Sequence, residues 1–400
     1  EIRRPFLNAD RMNAAMKYTE LRYQPEKSGI YVGSPSLLRL PDGALLASHD
    51  YFEADPVSNL APRISEIYRS EDGGASWRNV NHLSGALWGS LFLHDDCIYH
   101  LGTDREYGSI VIRRSRDGGF SWSDPQDERT GLLFRGGPGR TGPNYHFGGA
   151  TPVAVHRGRV FRACELFSEP DGRFGWDAAS FRETILSAPY DADLLNADNW
   201  TLSRPLAFDA EQLNTIHPGL AGQHSGWLEG NLVTAPDGSL ADLMRVHLNT
   251  PNKAALLEIA PDGSDLSFRP ETGIIDFPGG ASKFTVRRDP ATGLYFTLSN
   301  PVTMPECPWQ RNILSLCCSG DLRNWKILKN LLTDDTGLPP EESVRYTGFQ
   351  YADWEFDGDD LIYLVRMSYR GARNYHDSNR ITFHRERNFR RATSPDSGAK

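Results

Sequence analysis

Two stretches of this 400-residue chain match one eight-residue pattern. Residues 70–77 read SEDGGASW and residues 115–122 read SRDGGFSW. Both fit S-x-D-x-G-x-x-W, and both follow an apolar, strand-like run, SEIYR and SIVIRR. The pattern has a physical logic. Asp72 and Asp117 can accept backbone N–H groups inside a tight turn, and Gly74 and Gly119 can take φ > 0. Ser70 and Ser115 can close the turn with a hydroxyl, while Trp77 and Trp122 fold back as apolar plugs. Each copy would pin a β-hairpin between two outer strands. Two copies 45 residues apart indicate a repeat, and such periods indicate propellers or arrays.

The rest of the chain agrees with many short strands. It carries 9 Trp, 15 Tyr and 19 Phe, with 37 Gly and 26 Pro. No apolar run approaches the ~20 residues a membrane helix needs. A net charge of −9 argues against nucleic acid as a partner. The chain opens on Glu1 rather than Met, as expected of a trimmed or processed chain, and no signal-peptide pattern is visible. The cysteines are Cys97, Cys164, Cys307, Cys317 and Cys318. Their odd number leaves at least one thiol free or paired between chains. There is no C-x-x-C and no H-E-x-x-H, so neither a metal nor another cofactor is expected. The oligomeric state is open.

Six hairpin units can be cut from the chain. Their turns lie at Asp42-Gly43, Asp95-Asp96, Arg157-Gly158, Asp237-Gly238, Pro290 to Gly293 and Asp357-Gly358. The spacing predicts an all-β, six-bladed propeller occupying residues 1–400 as a single domain. The last unit lacks a fourth strand, which MKYTELRYQ near the N-terminus would supply. A seventh blade fits only if residues 190–226 hide one. Helix is expected only over 10–16 and 207–216. Shortened copies of the eight-residue pattern end in Trp325 and, more degenerate, in Trp200.

With these boxes and hairpins, nearly the whole chain resembles the sialidase-like (Asp-box, BNR-repeat) propeller superfamily. A more specific likeness lies in EGNLVTAPDGSLADLMR. Sialidases place a Glu before an inner strand, then a D-G turn, then an Arg; Glu229, Asp237-Gly238 and Arg245 follow that order. Arg311 stands where a second family arginine opens a strand. The resemblance implies that these arginines belong to a three-arginine clamp on a substrate carboxylate, and that Glu229 polarises a nucleophilic Tyr. The clamp's first arginine belongs to an R-I-P motif, but this chain has Gly33-Ser34-Pro35 there. His49, Asp50 or Asp55 would stand in for the family's acid. Tyr346 and Tyr351 bracket the place of the nucleophile, with Tyr346 taken as the catalytic candidate.

In a propeller, the starts of inner strands and the ends of second strands meet at one mouth. That rule selects His49, Asp50, Asp104, Arg105, Tyr145, His146, Glu165, Glu229, Arg245, His247, Lys283, Asn300, Arg311, Gln350 and Arg366. Among them Arg245, Arg311, Lys283, His146, His247 and Gln350 are expected to contact substrate. Several cations at one mouth imply an anionic ligand, since a buried cation is costly unless paired. The competing reading makes Arg245 and Arg311 structural salt bridges to Glu229 and Asp242. His376-Asp377 reads as a surface loop.

Three functions follow. The first is an exo-acting glycoside hydrolase on a terminal, carboxylate-bearing sugar, with oligosaccharide or polysaccharide as partner. The second is a polysaccharide lyase on a uronic acid, and the third a non-catalytic carbohydrate-binding propeller. A secreted or periplasmic location is the matching expectation.

Overall fold

Each of the six hairpins opens an antiparallel sheet, and the sheets follow one another around a ring as six blades. The computed structural model describes residues 16–53, 63–137, 142–168 and 176–393. Blade one runs Ile30–Arg39, Leu45–Glu53, Ile64–Ser70, Arg78–Ser84, and blade two Leu87–His94, Cys97–Thr103, Ile110–Ser115, Leu132–Phe134. In blade three, Asn144–His146 and Ala154–His156 share the innermost place beside Arg159–Phe167, followed by Phe181–Pro189. Blade four is built on Gly226–Thr234, Leu240–His247 and Lys253–Ile259. Blade five comprises Thr285–Arg288, Tyr295–Ser299, Ile313–Ser319 and Trp325–Thr333. Blade six comprises Gly348–Asp357, Asp360–Ser368 and Arg380–Glu386, and Thr19–Tyr23 completes it. The N-terminal strand therefore closes the ring, as its sequence predicts. Residues 190–226 hold edge strands and a helix, Ala210–Ile216, but no blade of their own.

Blades pack face to face, so inner strands are buried on both sides. Leu45 to Phe52 are all buried, whereas the outer strand Arg78–Ser84 is mostly open to water. Apolar contacts join neighbouring blades: Phe296, Leu314 and Leu316 of blade five belong to one cluster with Phe349, Trp354 and Val365 of blade six.

The two eight-residue segments are tight turns leading from third to outer strands. Asp72 Oδ1 accepts the Ser76 N–H (2.9 Å) and the Ser70 hydroxyl (2.8 Å), and Ser70 Oγ accepts the Gly74 N–H (2.9 Å). Asp117 repeats this with Ser115 and Ser121. Gly74 and Gly119 take φ of +92° and +94°. Trp77 packs on Phe383 of blade six, with ring centroids 5.5 Å apart. A Cβ on Gly74 would lie 2.0 Å from Phe383 Cε1. Gly74→Ala combines a left-handed backbone with an overpacked contact, so it is expected to cost about 2–5 kcal/mol. Calorimetry should show the lowered Tm while activity per folded molecule stays unchanged.

Two of the short helices, Pro270–Gly273 and Pro340–Tyr346, are not foreseen from the sequence. Both begin on a proline, which is preorganised for the first helical turn. The residues 10–15 of the other expected helix, and Asp55, lie outside the described residues. All five cysteines are free thiols.

Candidate active site

Four innermost strands share one irregularity. Pairing slips between Gly33 and Ser36, Leu87 and Ser90, Leu228 and Asn231, and Gln350 and Asp353. Inside each slip sits one residue with positive φ: Ser34 (+50°), Trp88 (+56°), Glu229 (+59°) and Tyr351 (+52°). Such a bulge takes a residue out of the ladder and re-aims its side chain. The polar residue that ends each bulge ties its blade to the next one. Ser36 Oγ accepts the Leu91 N–H (2.9 Å), Ser90 donates to Thr151 O (3.0 Å), Asn231 Oδ1 accepts the Val286 N–H (3.0 Å) and Asp353 Oδ2 accepts the Leu37 N–H (2.8 Å). The bulge positions are thus fixed rigidly from blade to blade.

Two of the re-aimed side chains meet across the ring. The Tyr351 hydroxyl of blade six donates to Glu229 Oε1 of blade four at 3.0 Å. Arg245 Nη1 donates to Glu229 Oε2 at 2.8 Å and to the Tyr351 oxygen at 3.2 Å. Blade three leaves room for them: a Cβ on Gly148 would lie 2.5 Å from Glu229 Oε1, and one on Gly149 3.2 Å from Tyr351 Cδ1. Burial opposes ionisation of Glu229, but Arg245 outweighs it and holds the carboxyl below its usual range. Burial, and next Glu229, raise the Tyr351 phenol, while Arg245, Arg311 and Arg366 pull it down. Glu165 supports the pair from blade three. It accepts the Glu229 N–H and lies 2.6 Å from His146 Nδ1.

Tyr351 forms part of the lining of a cavity of about 540 Å³ with Arg245, His247, Arg311, Tyr375 and His376. Trp176 and Trp309 also line it and are 52% and 46% exposed. Exposed indoles beside a polar cavity offer flat apolar faces to a ligand. His247 Nε2 accepts from Arg245 Nη2 (2.8 Å), because an arginine only donates, so this imidazole is neutral. Desolvation and the Arg245 and Arg311 charges push its pKa well below the usual value. Arg311 donates to Gln350 Oε1, and its guanidinium lies 5.8 Å from the Tyr351 ring centre and 5.5 Å from that of Tyr375. Desolvation lowers its pKa to about 10. His376 sits beside Arg366, with Nδ1 3.0 Å from Asp377 Oδ1.

The structure therefore brings Glu229, Arg245, Arg311 and His247 together, sets Arg366 just behind the cavity wall against Tyr351 and His376, and keeps other expected residues away from the cavity. Tyr346 ends the helix Pro340–Tyr346 and packs on Arg345; Tyr351 stands beside Glu229 instead. His49 is sealed between Tyr51 and Tyr68, and burial holds its pKa down to about 3. Asp50 is a brace between blades one and two, bound to Ser65 and to the Trp88 N–H (2.6 Å); burial raises it to about 7. Lys283 donates to Thr285 and Ala352 O inside the ring, and burial lowers it to about 8. Gln350 holds Arg311 and the backbone of Tyr375 and His376 without reaching the cavity itself. His146 packs against Trp88, Tyr107 and Phe181. Asp104 and Arg105 pair with each other at 2.9 Å, Asn300 bonds the backbone of Ile313 and Phe349, and Tyr145 is buried core. His376-Asp377 is part of the cavity wall rather than a remote surface loop. Among the described residues, no cluster of His, Cys, Asp and Glu is arranged to hold a metal ion.

The architecture is shared with solved structures. A Penicillium chrysogenum alpha-L-arabinanase complexed with arabinobiose superposes with a TM-score of 0.57 at 12% identity, over 94% of this chain and 98% of that one. A Trypanosoma rangeli sialidase in complex with 2,3-difluorosialic acid gives 0.58 at 13%, over 94% of this chain and 60% of that one. A Fusarium graminearum alpha-L-arabinofuranosidase in complex with an iminosugar inhibitor gives 0.56 at 12%, over 92% and 98%. This chain has the sialidase-like propeller fold. At these identities the likeness is one of fold. No protein-family model and no curated protein matches the sequence.

Proposed function

We propose that this propeller is an exo-acting glycoside hydrolase on a terminal, carboxylate-bearing sugar, working through Tyr351. The observation that carries the reading is the hydroxyl of Tyr351, on a cavity wall, held 3.0 Å from an ionised Glu229 and 3.2 Å from Arg245. The similar folds include sialidases and arabinanases, which supports carbohydrate chemistry without choosing the sugar.

A phenol is a weak nucleophile unless a base takes its proton. Glu229 takes that proton as the Tyr351 oxygen bonds to the anomeric carbon, and Arg245 stabilises the phenolate character. The bond to the leaving oxygen breaks, and that oxygen takes a proton from an acid. His49 and Asp50 do not face the cavity; His376, on its wall, takes this role, with Nδ1 held by Asp377 and Nε2, once protonated, giving up the Arg366 guanidinium (3.2 Å) for the leaving oxygen. Water then attacks the same carbon, giving a proton back to His376, and Tyr351 leaves, reprotonated by Glu229. Two displacements give net retention. Trp176 and Trp309 flank the path of the departing chain.

The test is to incubate the protein with oligosaccharides ending in acidic and in neutral sugars, arabinose included. Mass spectrometry, ultraviolet absorbance and NMR follow the products. Release of an acidic monosaccharide with retained configuration supports the reading. A conjugated double bond would make the protein a lyase, release of neutral sugars alone would remove the acidic substrate, and no product at all would leave a binding propeller.

A further inference from the structure

Gly33 precedes the bulge of blade one, at a backbone position that suits any residue. Its missing side chain nonetheless has a structural consequence. A Cβ there would lie 3.1 Å from Arg366 Nη1, 3.2 Å from Arg366 Cδ and 2.9 Å from Phe52 Cε2. The space beside Gly33 is filled by Arg366, which arrives from the second strand of blade six. There it pairs across the ladder with Gln350, the residue before Tyr351. Gln350 also accepts from Arg311. The two arginines are thus braced around the same step of chain that presents Tyr351. Their guanidiniums lie 4.9 Å and 5.8 Å from the Tyr351 ring centre.

Arg245 is paired with Glu229, and Arg287 with Asp353 and Glu355. Among the described residues, neither Arg311 nor Arg366 has a carboxylate in contact; the nearest influence is Asp377, which burial raises but His376 and, more weakly, Arg366 hold below its usual range. Both arginines are more than nine-tenths buried, and the Nε of each has no partner. Arg366 is held by the His376 carbonyl (2.8 Å), by the Nε2 of the same residue (3.2 Å) and by the faces of Tyr31, Phe52 and Tyr351. Aromatic faces and neutral acceptors from Gln350 and His376 do not cancel two desolvated cations against one tyrosine; an anion between them does. Planar guanidiniums match a carboxylate's two oxygens.

We infer that Arg311 and Arg366 together hold the substrate's carboxylate, and that position 33 is glycine so that Arg366 fits. Arg245 serves the Glu229–Tyr351 pair instead. This inference rests on the acidic-sugar reading above and names the residues that impose it.

The experiment is calorimetric binding of glucuronate and of N-acetylneuraminate, each against its methyl ester. In the wild type, at least one acid should bind on the order of 10- to 100-fold tighter than its ester, as expected for charged hydrogen bonds. Arg366→Met should lower that ratio by about ten-fold without weakening the ester, the remainder being held by Arg311. Arg366→Lys should lower it in part, since the fork is lost and the charge kept. Gly33→Ala should lower it too, by displacing the guanidinium. If neither acid outbinds its ester in the wild type, the acidic-sugar reading falls together with this one. If the wild type prefers the acid and Arg366→Met keeps that preference in full, the Arg366 assignment alone is overturned. Should Arg366→Met not fold, Arg366→Lys and Gly33→Ala decide by the same ratio.

Discussion

Tyr351→Phe is expected to keep the fold and lose turnover by on the order of 10⁴- to 10⁶-fold, the scale seen when a covalent nucleophile is removed. The change deletes one oxygen. The ring that Arg311 and Arg366 face remains, and Glu229 keeps its ion pair with Arg245 at 2.8 Å. The stability cost should therefore be that of one hydrogen bond, about 1 kcal/mol. Glu229→Gln should cost less turnover, on the order of 10²- to 10⁴-fold, because it removes proton transfer and leaves the nucleophile in place. The check is kcat beside Tm for both variants, with mass mapping of the peptide labelled by a fluorinated sugar. Label on Tyr351 supports the assignment. Activity of Tyr351→Phe within ten-fold of wild type would remove it, and Glu229 would then be the attacking group.

The fold was legible because its determinants are local. Turn residues such as Asp237-Gly238 and the paired boxes around Asp72 and Asp117 announce themselves within eight residues. Strand order then follows from chain order, since neighbouring strands in a blade are consecutive in sequence. The closing strand Thr19–Tyr23 was legible because the last unit came up one strand short.

The site was legible only in part, because it depends on contacts between blades four, five and six. Glu229 and Arg245 lie within one hairpin and could be read together. Tyr351 could not be fixed against Tyr346, since the helix Pro340–Tyr346 breaks the strand pattern just upstream. A usable signal did exist. The bulged steps read Ser34-Pro35-Ser36, Trp88-Gly89-Ser90, Glu229-Gly230-Asn231 and Tyr351-Ala352-Asp353: an exceptional residue, a small one, then a short polar one that bonds the next blade. Aligning these triplets puts Tyr351, not Tyr346, at the position in blade six that Glu229 holds in blade four. The same alignment sets Ser34 at the equivalent bulge position of blade one. Asp50 was misread for a different reason. The ends of second strands do converge on the axis, but a carboxylate there can serve the neighbouring backbone, as Asp50 serves Trp88 and Glu165 serves Glu229.

His376→Asn should separate two kinds of substrate. An acid matters in proportion to how badly the leaving oxygen needs a proton. With a sugar leaving group, the variant should lose on the order of 10²- to 10⁴-fold in kcat. With an aryl glycoside whose phenol leaves unprotonated, the loss should be far smaller. A merely structural role would depress both alike. The pH profile supplies a second readout. Arg366, Arg311 and Asp377 face His376, with the Tyr31 and Tyr375 rings against it. Withdrawal from water, then the Arg366 charge, push its pKa down to about 4. The working form is the protonated one, so kcat/KM should fall as pH rises through that low value. A carboxylate bound by Arg311 and Arg366 would offset their charges and move the pKa back upward. The alkaline limb of kcat should accordingly lie at higher pH than that of kcat/KM. If the two limbs coincide, and if sugar and aryl leaving groups suffer equally in His376→Asn, the proton comes from elsewhere and His376 only positions Arg366.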